Sequence, residues 1–310
     1  MNLIYVHIGR KIPNYKSNQY GYTVDDCPSY LFDSIKQTRK ITKCPIHVVV
    51  SQKDILENQS FFKDYSCICY DYETLLNDSK ILDFIRKIAI FRGGLDSHFW
   101  LVTFLRLLVV DKVIRDNKLT DVFHIENDNL IYYDLEVFKN LSGTYIAPLG
   151  PYTSTAGIFY TKDTDNMSFF VDKLGVLLET TKKDISDAIR IPDDLITEMH
   201  LIDIIKNVYS YKVKYFPVLP FDQFSMELNK FKYLFDSGSF GQFLGGTNNG
   251  HNAGFESAFT HHWIGRELLS KKCSVFLIEK RPFLAYNDIY YRIFNLHIHN
   301  KKMIKEFINV

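Results

Sequence analysis

The chain is short of several things at once, and each shortage excludes something. Its 310 residues include only five cysteines: Cys27, Cys44, Cys67, Cys69 and Cys273. Five is an odd number, and Cys67 and Cys69 lack the spacing of a zinc site, so a reducing, cytoplasmic setting is the simpler expectation. Neither sign of charge dominates. Lys and Arg total 37, Asp and Glu total 36, and the net charge is +1. General nucleic-acid binding needs a basic field that this balance does not supply. The longest apolar helix candidate, Phe99 to Val110, is too short to span a membrane and contains Arg106. Met1-Asn2-Leu3-Ile4-Tyr5-Val6 has no basic leader, which argues against a signal peptide. No Gly-Lys-Ser/Thr ending of a P-loop, no dinucleotide fingerprint and no Ser/His/Asp or Cys/His arrangement stands out. Repeats, charge blocks and low-complexity linkers are also missing, so no firm domain boundary is visible.

Apolar residues, by contrast, are plentiful. They make up 46% of the chain, with 25 Phe and 20 Tyr. Leu3 to Ile8, Ile46 to Val50, Ser66 to Tyr70 and Val122 to Ile125 read as buried strands. Helical patterns fall between them, over Tyr30 to Lys40 and from a cap at Ser97 to about Asn117. Continuous apolar strands alternating with helices predict an α/β domain with a mainly parallel sheet. The second half is less regular. Thr144 to Ala147 and Ala156 to Tyr160 read as strands around a Pro148–Pro151 turn. Helices are expected over Asp165 to Thr180 and from near Pro192, the latter carrying Leu195, Met199, Ile202 and Ile205. Phe235 to Gly254 is too glycine-rich for a regular helix or strand, and reads as a lid or as a backbone wall against ligand. Ile293 to His299 suits a last strand before a Lys-rich tail.

The chemistry centres on His124-Ile125-Glu126-Asn127-Asp128-Asn129. Extended backbone would send Glu126 and Asp128 the same way, roughly 6.6 Å apart. Two carboxylates at the end of a buried strand suit a hard cation such as Mg²⁺ or Mn²⁺, often held together with substrate phosphates. In α/β sheets, ligands bind beyond such strand ends. The bland alternative is a solvated corner, since Asn and Asp favour turns. In Leu296-His297-Ile298-His299-Asn300-Lys301-Lys302, His297 and His299 share one face of an extended segment. One imidazole suits the same ion, and Lys301 or Lys302 a diphosphate. Arg106 sits among apolar neighbours on a helix face with Thr103. It needs a partner, either a ligand phosphate or a structural carboxylate. Asp194 and Glu198 fall four apart on one predicted helix face, and either would serve as a general base. The glycine-rich stretch, with Asn248, Asn249, His251 and Asn252, offers backbone N–H groups and side-chain amides for sugar hydroxyls.

Taken in order, these segments resemble nucleotide-sugar-dependent glycosyltransferases of the GT-A fold. His124-Ile125-Glu126-Asn127-Asp128 looks like a variant of their Asp-X-Asp motif, with Glu in the first position. The helix with Thr103 and Arg106, the stretch Phe235 to Gly246, and Leu296-His297-Ile298-His299 are similar to flanking and later blocks. The resemblance implies one GT-A-like domain over 1–310: a nucleotide-sugar-binding half to about residue 130, then an acceptor side with a C-terminal metal and phosphate segment. It implies a sugar moved from a nucleotide-sugar donor, UDP-sugar favoured, to the hydroxyl of a glycan or other acceptor, with Mn²⁺ or Mg²⁺. Asp128 would bind the metal, and His299, rather than His297, is preferred to complete its shell. Glu126 and Asn127 would touch the donor, with His7, Ser51, Arg106, Gly246 and Lys301 also on the donor side. Glu198 is the candidate base of an inverting reaction. A metal-dependent nucleotidyltransferase or phosphodiesterase, and a carbohydrate-binding protein without catalysis, are the competing expectations.

Overall fold

Runs of Val, Ile and aromatic residues build the sheet of this protein, a computed structural model that describes residues 1–9, 12, 27–92, 98–221, 225–246, 263–270 and 273–308. The strands are β1 (Asn2–Val6), β2 (Ile46–Val50), β3 (Cys67–Asp71), β4 (Val122–Ile125), β5 (Asn129–Ile131), β6 (Thr144–Gly150), β7 (Thr153–Thr161), β8 (Val213–Tyr215), β9 (Ser274–Ile278), β10 (Arg281–Tyr286), β11 (Ile289–Arg292) and β12 (Asn295–His297). Seven of them form the central sheet in the order β3-β2-β1-β4-β7-β6-β8. All run the same way except β7, which is antiparallel to both neighbours. The mixed α/β architecture with a mainly parallel sheet therefore stands as expected.

The order leaves β1 with β2 on one side and β4 on the other, so the chain changes its direction of travel across the sheet at β1. The crevice beyond the strand ends at such a reversal is where doubly wound sheets bind ligands. Every residue of β2 and β4 is buried, His47 and His124 included, as near-continuous apolar runs require. Each fully buried Val, Leu or Ile there contributes about 1.5–3 kcal/mol. The His98–Asn117 helix buries Leu101, Phe104, Leu105, Leu108 and Val109 among others.

An aromatic cluster carries the C-terminal segment onto the sheet. Phe235 stacks on Phe216 with ring centroids 4.2 Å apart, and Phe294 meets Phe138 edge-on at 4.8 Å. Phe294 N–H donates to Leu234 O at 2.7 Å, and Tyr132 N–H donates to Phe294 O at 2.9 Å. Asp236 and Asn295, the next residues along, are fixed by these anchors.

Several local expectations are corrected. The stretch read as too glycine-rich for a helix contains one, Ser239–Gly245. The helix expected from Pro192 is two pieces, a 3-10 turn at Asp193–Leu195 and a helix at Glu198–Val208. Asp194 and Glu198 are therefore not one helical turn apart on a shared face, and Leu195 lies in the 3-10 turn, 57% exposed. β6 and β7 run through most of the expected Pro148–Pro151 turn. Pro148, which has no N–H to give a ladder, sits beside register shifts in the pairing. The last strand covers only Asn295–His297. Ser97, Asn248, Asn249, His251 and Asn252 lie outside the described residues. Among the described residues no helix is long and apolar enough to cross a membrane, and all five cysteines are free thiols.

Candidate functional site

β4 ends at Ile125, and the chain reverses at once. Glu126 N–H donates to Gly157 O and Asn129 N–H donates to Glu126 O, both at 3.0 Å. Ser34 Oγ, from the Ser29–Ile41 helix, donates to Asn127 O at 2.7 Å and fixes the middle of the turn. Glu126 and Asp128 therefore converge through a turn, not through the alternation of an extended strand. The Asn127 side-chain oxygen is buried with no partner among the described residues.

The short strand β5 follows directly, and β12 pairs with it antiparallel, His297 opposite Asn129. That register brings a residue from the far end of the chain against the acidic turn. His297 Nε2 lies 3.1 Å from Glu126 Oε2 and 3.3 Å from Asp128 Oδ1. One ligand atom from each of Glu126, Asp128 and His297 falls within 4.8 Å of the others. His297 Nδ1 is buried and meets no partner among the described residues. The preference for His299 over His297 runs against this geometry. The His299 ring lies 4.4 Å from the His297 ring, and its Nε2 is 2.9 Å from the Gln242 amide nitrogen. Two carboxylate oxygens and one imidazole nitrogen form a donor set that a hard or borderline divalent cation accepts, so the residues fit such an ion.

Two cations balance the two acids. The Arg106 guanidinium pairs with Glu126, which answers whether its partner within the chain is a carboxylate. Arg106 Nε is buried with no partner among the described residues. Lys301 pairs with Asp128, donates to Ile298 O at 3.2 Å, and lies over the Tyr30 ring at 5.5 Å. Burial alone would raise the Glu126 carboxyl, but Arg106, His297 and Lys301 outweigh it and hold that carboxyl well below the usual range. Burial presses the Lys301 ammonium down to about 8, with Glu126 resisting.

Glu198 opens the Glu198–Val208 helix and is only 6% exposed. Burial pushes its carboxyl up to about 7, while Arg106 and Thr103 pull against the rise and Glu126 adds to it. Its Oε2 has no partner among the described residues. Glu198, Thr103, Arg106 and Glu126 thus share one electrostatic neighbourhood. The other expected donor residues sit elsewhere in the frame. His7 follows β1, with its N–H on Val49 O at 2.8 Å. Ser51 follows β2, but its hydroxyl caps the Gln52–Glu57 helix, accepting from Asp54 N–H at 3.0 Å and donating to Asp54 Oδ2 at 2.5 Å. Gly246, at φ +72°, ends the Ser239–Gly245 helix.

Sequence reasoning missed three residues that hold the site together. Asp236 is fully buried, and its carboxylate accepts from four main-chain N–H groups. Asn295 donates to Asn129 Oδ1 at 2.8 Å and to Asp236 O at 2.9 Å, and Asn129 donates to Gly157 O at 3.0 Å. The signal for Asp236 was local: an acid ahead of small residues is a helix-cap pattern. Asn129 and Asn295 carried no such signal, because their pairing depends on tertiary register.

No protein-family model and no curated protein matches the chain. Solved structures do show likeness. Mouse xyloside xylosyltransferase 1 in its apo form is 8% identical, with 69% of this chain and 85% of that one covered and a TM-score of 0.47. The galactosyltransferase LgtC in complex with donor and acceptor sugar analogues is 14% identical, with 70% and 73% covered and a TM-score of 0.41. A cytidylyltransferase from Leptospira borgpetersenii is 8% identical, with 68% and 95% covered and a TM-score of 0.31. At such identities and scores the likeness extends no further than the arrangement of sheet and helices.

Proposed function

We propose that the protein transfers a sugar from a nucleotide-sugar donor, UDP-sugar favoured, to an acceptor hydroxyl, with Mn²⁺ or Mg²⁺ at Asp128, His297 and Glu126. The observation that carries this reading is the meeting of those three side chains beyond the end of β4, beside a lysine and an arginine. Paired acids with an imidazole at a sheet reversal suit a cation that bridges to a diphosphate. The ordered sequence resemblance selects glycosyl transfer within that chemistry. When bound, the cation would supply Lewis-acid stabilisation of charge on the departing nucleoside diphosphate. Lys301 is placed to pass from Asp128 to a phosphate oxygen, a point charge suited to that role. Arg106 holds Glu126 ionised and aimed at His297. Glu198, poised near neutrality, is the candidate base for an acceptor hydroxyl if the reaction inverts configuration.

The test is a thermal-shift panel of UDP, GDP, CDP and ADP, with and without Mn²⁺, followed by a donor-hydrolysis screen for nucleoside diphosphate release. Stabilisation by one nucleoside diphosphate, greater with Mn²⁺, is the expected result. No stabilisation by any of them would sink the proposal.

A further inference from the structure

Asp236 belongs to no helix or strand, touches neither Glu126 nor Asp128 in any hydrogen bond described, and yet is wholly enclosed. Its Oδ1 accepts from Gly238 N–H at 2.7 Å and Phe240 N–H at 2.9 Å. Its Oδ2 accepts from Gly241 N–H at 2.8 Å and from His297 N–H at 2.9 Å. One carboxylate thus ties the first turn of the Ser239–Gly245 helix to the main chain of the histidine that faces the acids. Asn295 holds Asp236 in turn, accepting from its N–H at 3.1 Å and donating to its carbonyl at 2.9 Å. The helix also presses on His297 directly. A Cβ on Gly241 would lie 2.0 Å from His297 O, so only glycine permits the approach.

We infer that Asp236 is a positioning residue, whose carboxylate sets the main chain of His297 and thereby aims the imidazole at Glu126 and Asp128. This rests on the metal reading of that cluster. Four N–H donors demand an acceptor-only group. Asparagine keeps the shape, but whichever way its amide turns, the NH₂ faces N–H groups that it cannot satisfy.

The experiment measures Mn²⁺ affinity of the full chain from the electron paramagnetic resonance of free Mn²⁺. Asp236→Asn should weaken binding about ten-fold or more, as loss of supporting contacts to metal ligands does. In a His297→Ala background the same substitution should add nothing, because Asp236 acts only through His297. Unchanged Mn²⁺ affinity in Asp236→Asn, or losses that add in the double variant, would overturn the inference. A wild-type protein that binds no Mn²⁺ defeats the metal reading by itself. Asp236 is then judged without metal, by amide exchange and imidazole titration in NMR. Slow exchange of the wild-type His297 amide, with an imidazole titration altered in Asp236→Asn, supports the positioning role. Rapid exchange of that amide overturns it, and this measurement holds even if the variant does not fold.

Discussion

His297 sits opposite Asn129 in the β5–β12 ladder, one residue after Asp128, and this register sets its imidazole 3.1 Å from Glu126 and 3.3 Å from Asp128. A slip of one residue in a short ladder would turn the ring to the other face. The pairing is secured by the buried Asn295–Asn129 bond at 2.8 Å.

The two histidines should therefore differ in their effect on cation binding. His297→Ala and Asp128→Asn should each lower Mn²⁺ affinity by about ten-fold or more, since each removes one of the three proposed ligands and the loss of even an outer contact costs that much. His299→Ala should lower it less, because His299 lies outside the cluster and contacts Gln242. Calorimetric titration with Mn²⁺ in the absence of nucleotide checks the order. Equal losses for both histidines would restore His299 as a ligand.

Arg106 and Glu126 form a largely buried pair, with side chains 14% and 18% exposed. Removing Arg106 takes away the largest influence that keeps the buried Glu126 ionised and leaves only His297 and Lys301 against its charge. Arg106→Met should cost about 3–5 kcal/mol in urea unfolding, and the Arg106→Met, Glu126→Gln double variant should recover much of that loss. A double variant no more stable than Arg106→Met would show that the arginine contributes through packing rather than through the pair.

Glu198 predicts a pH dependence of defined sign. Its carboxyl rises from an ordinary 4.5 to about 7 on folding, so the folded state favours the protonated form. That contribution is present in full below pH 4.5 and is lost as the pH climbs through about 7. At about 1.4 kcal/mol per pH unit, Glu198→Gln should become more stable than the wild type by about 3 kcal/mol across that window. Parallel stability curves from pH 4 to 8 would remove the raised carboxyl. If Glu198 is the base, transfer should rise with pH through about 7 in the wild type and not in the variant.

Much of the frame could be read from the chain, and the failures have physical causes. β2 and β4 announced themselves because strands buried on both faces are almost continuously apolar, broken here only by His47 and His124. The acidic motif was visible for the same reason, as polar residues that abruptly end such a run. The turn after Ile125 was given only as the alternative because alternation was carried past the strand end to Asp128, although Asn127 and Asp128 are turn formers. The Ser239–Gly245 helix was missed because its glycines argue against helix, and a long-range requirement overrides them: Gly241 must pass within reach of His297 O. The β9–β11 sheet was missed outright. Its two hairpin turns, Glu279-Lys280 and Asn287-Asp288, have all four residues at positive φ between 49° and 61°. Asn-Asp is a usable signal for such a turn, whereas Glu-Lys is not.

Gly157 offers a probe of the acidic turn that leaves every charged group in place. It lies on β7 beside Glu126, and a Cβ there would come within 2.7 Å of Glu126 Oε2. Ordinarily a carboxylate swings away from such a clash at little cost. Here Oε1 is paired with Arg106 and Oε2 with His297, and Gly157 O itself accepts from Glu126 N–H and the Asn129 amide. The side chain has little freedom left, so the methyl should push Oε2 out of the cluster. Gly157→Ala should weaken Mn²⁺ binding several-fold, approaching the effect of Glu126→Gln, while unfolding in urea changes by about 1–3 kcal/mol, the range for overpacking. Wild-type Mn²⁺ affinity in Gly157→Ala would mean that Glu126 is not a ligand and serves Arg106 alone.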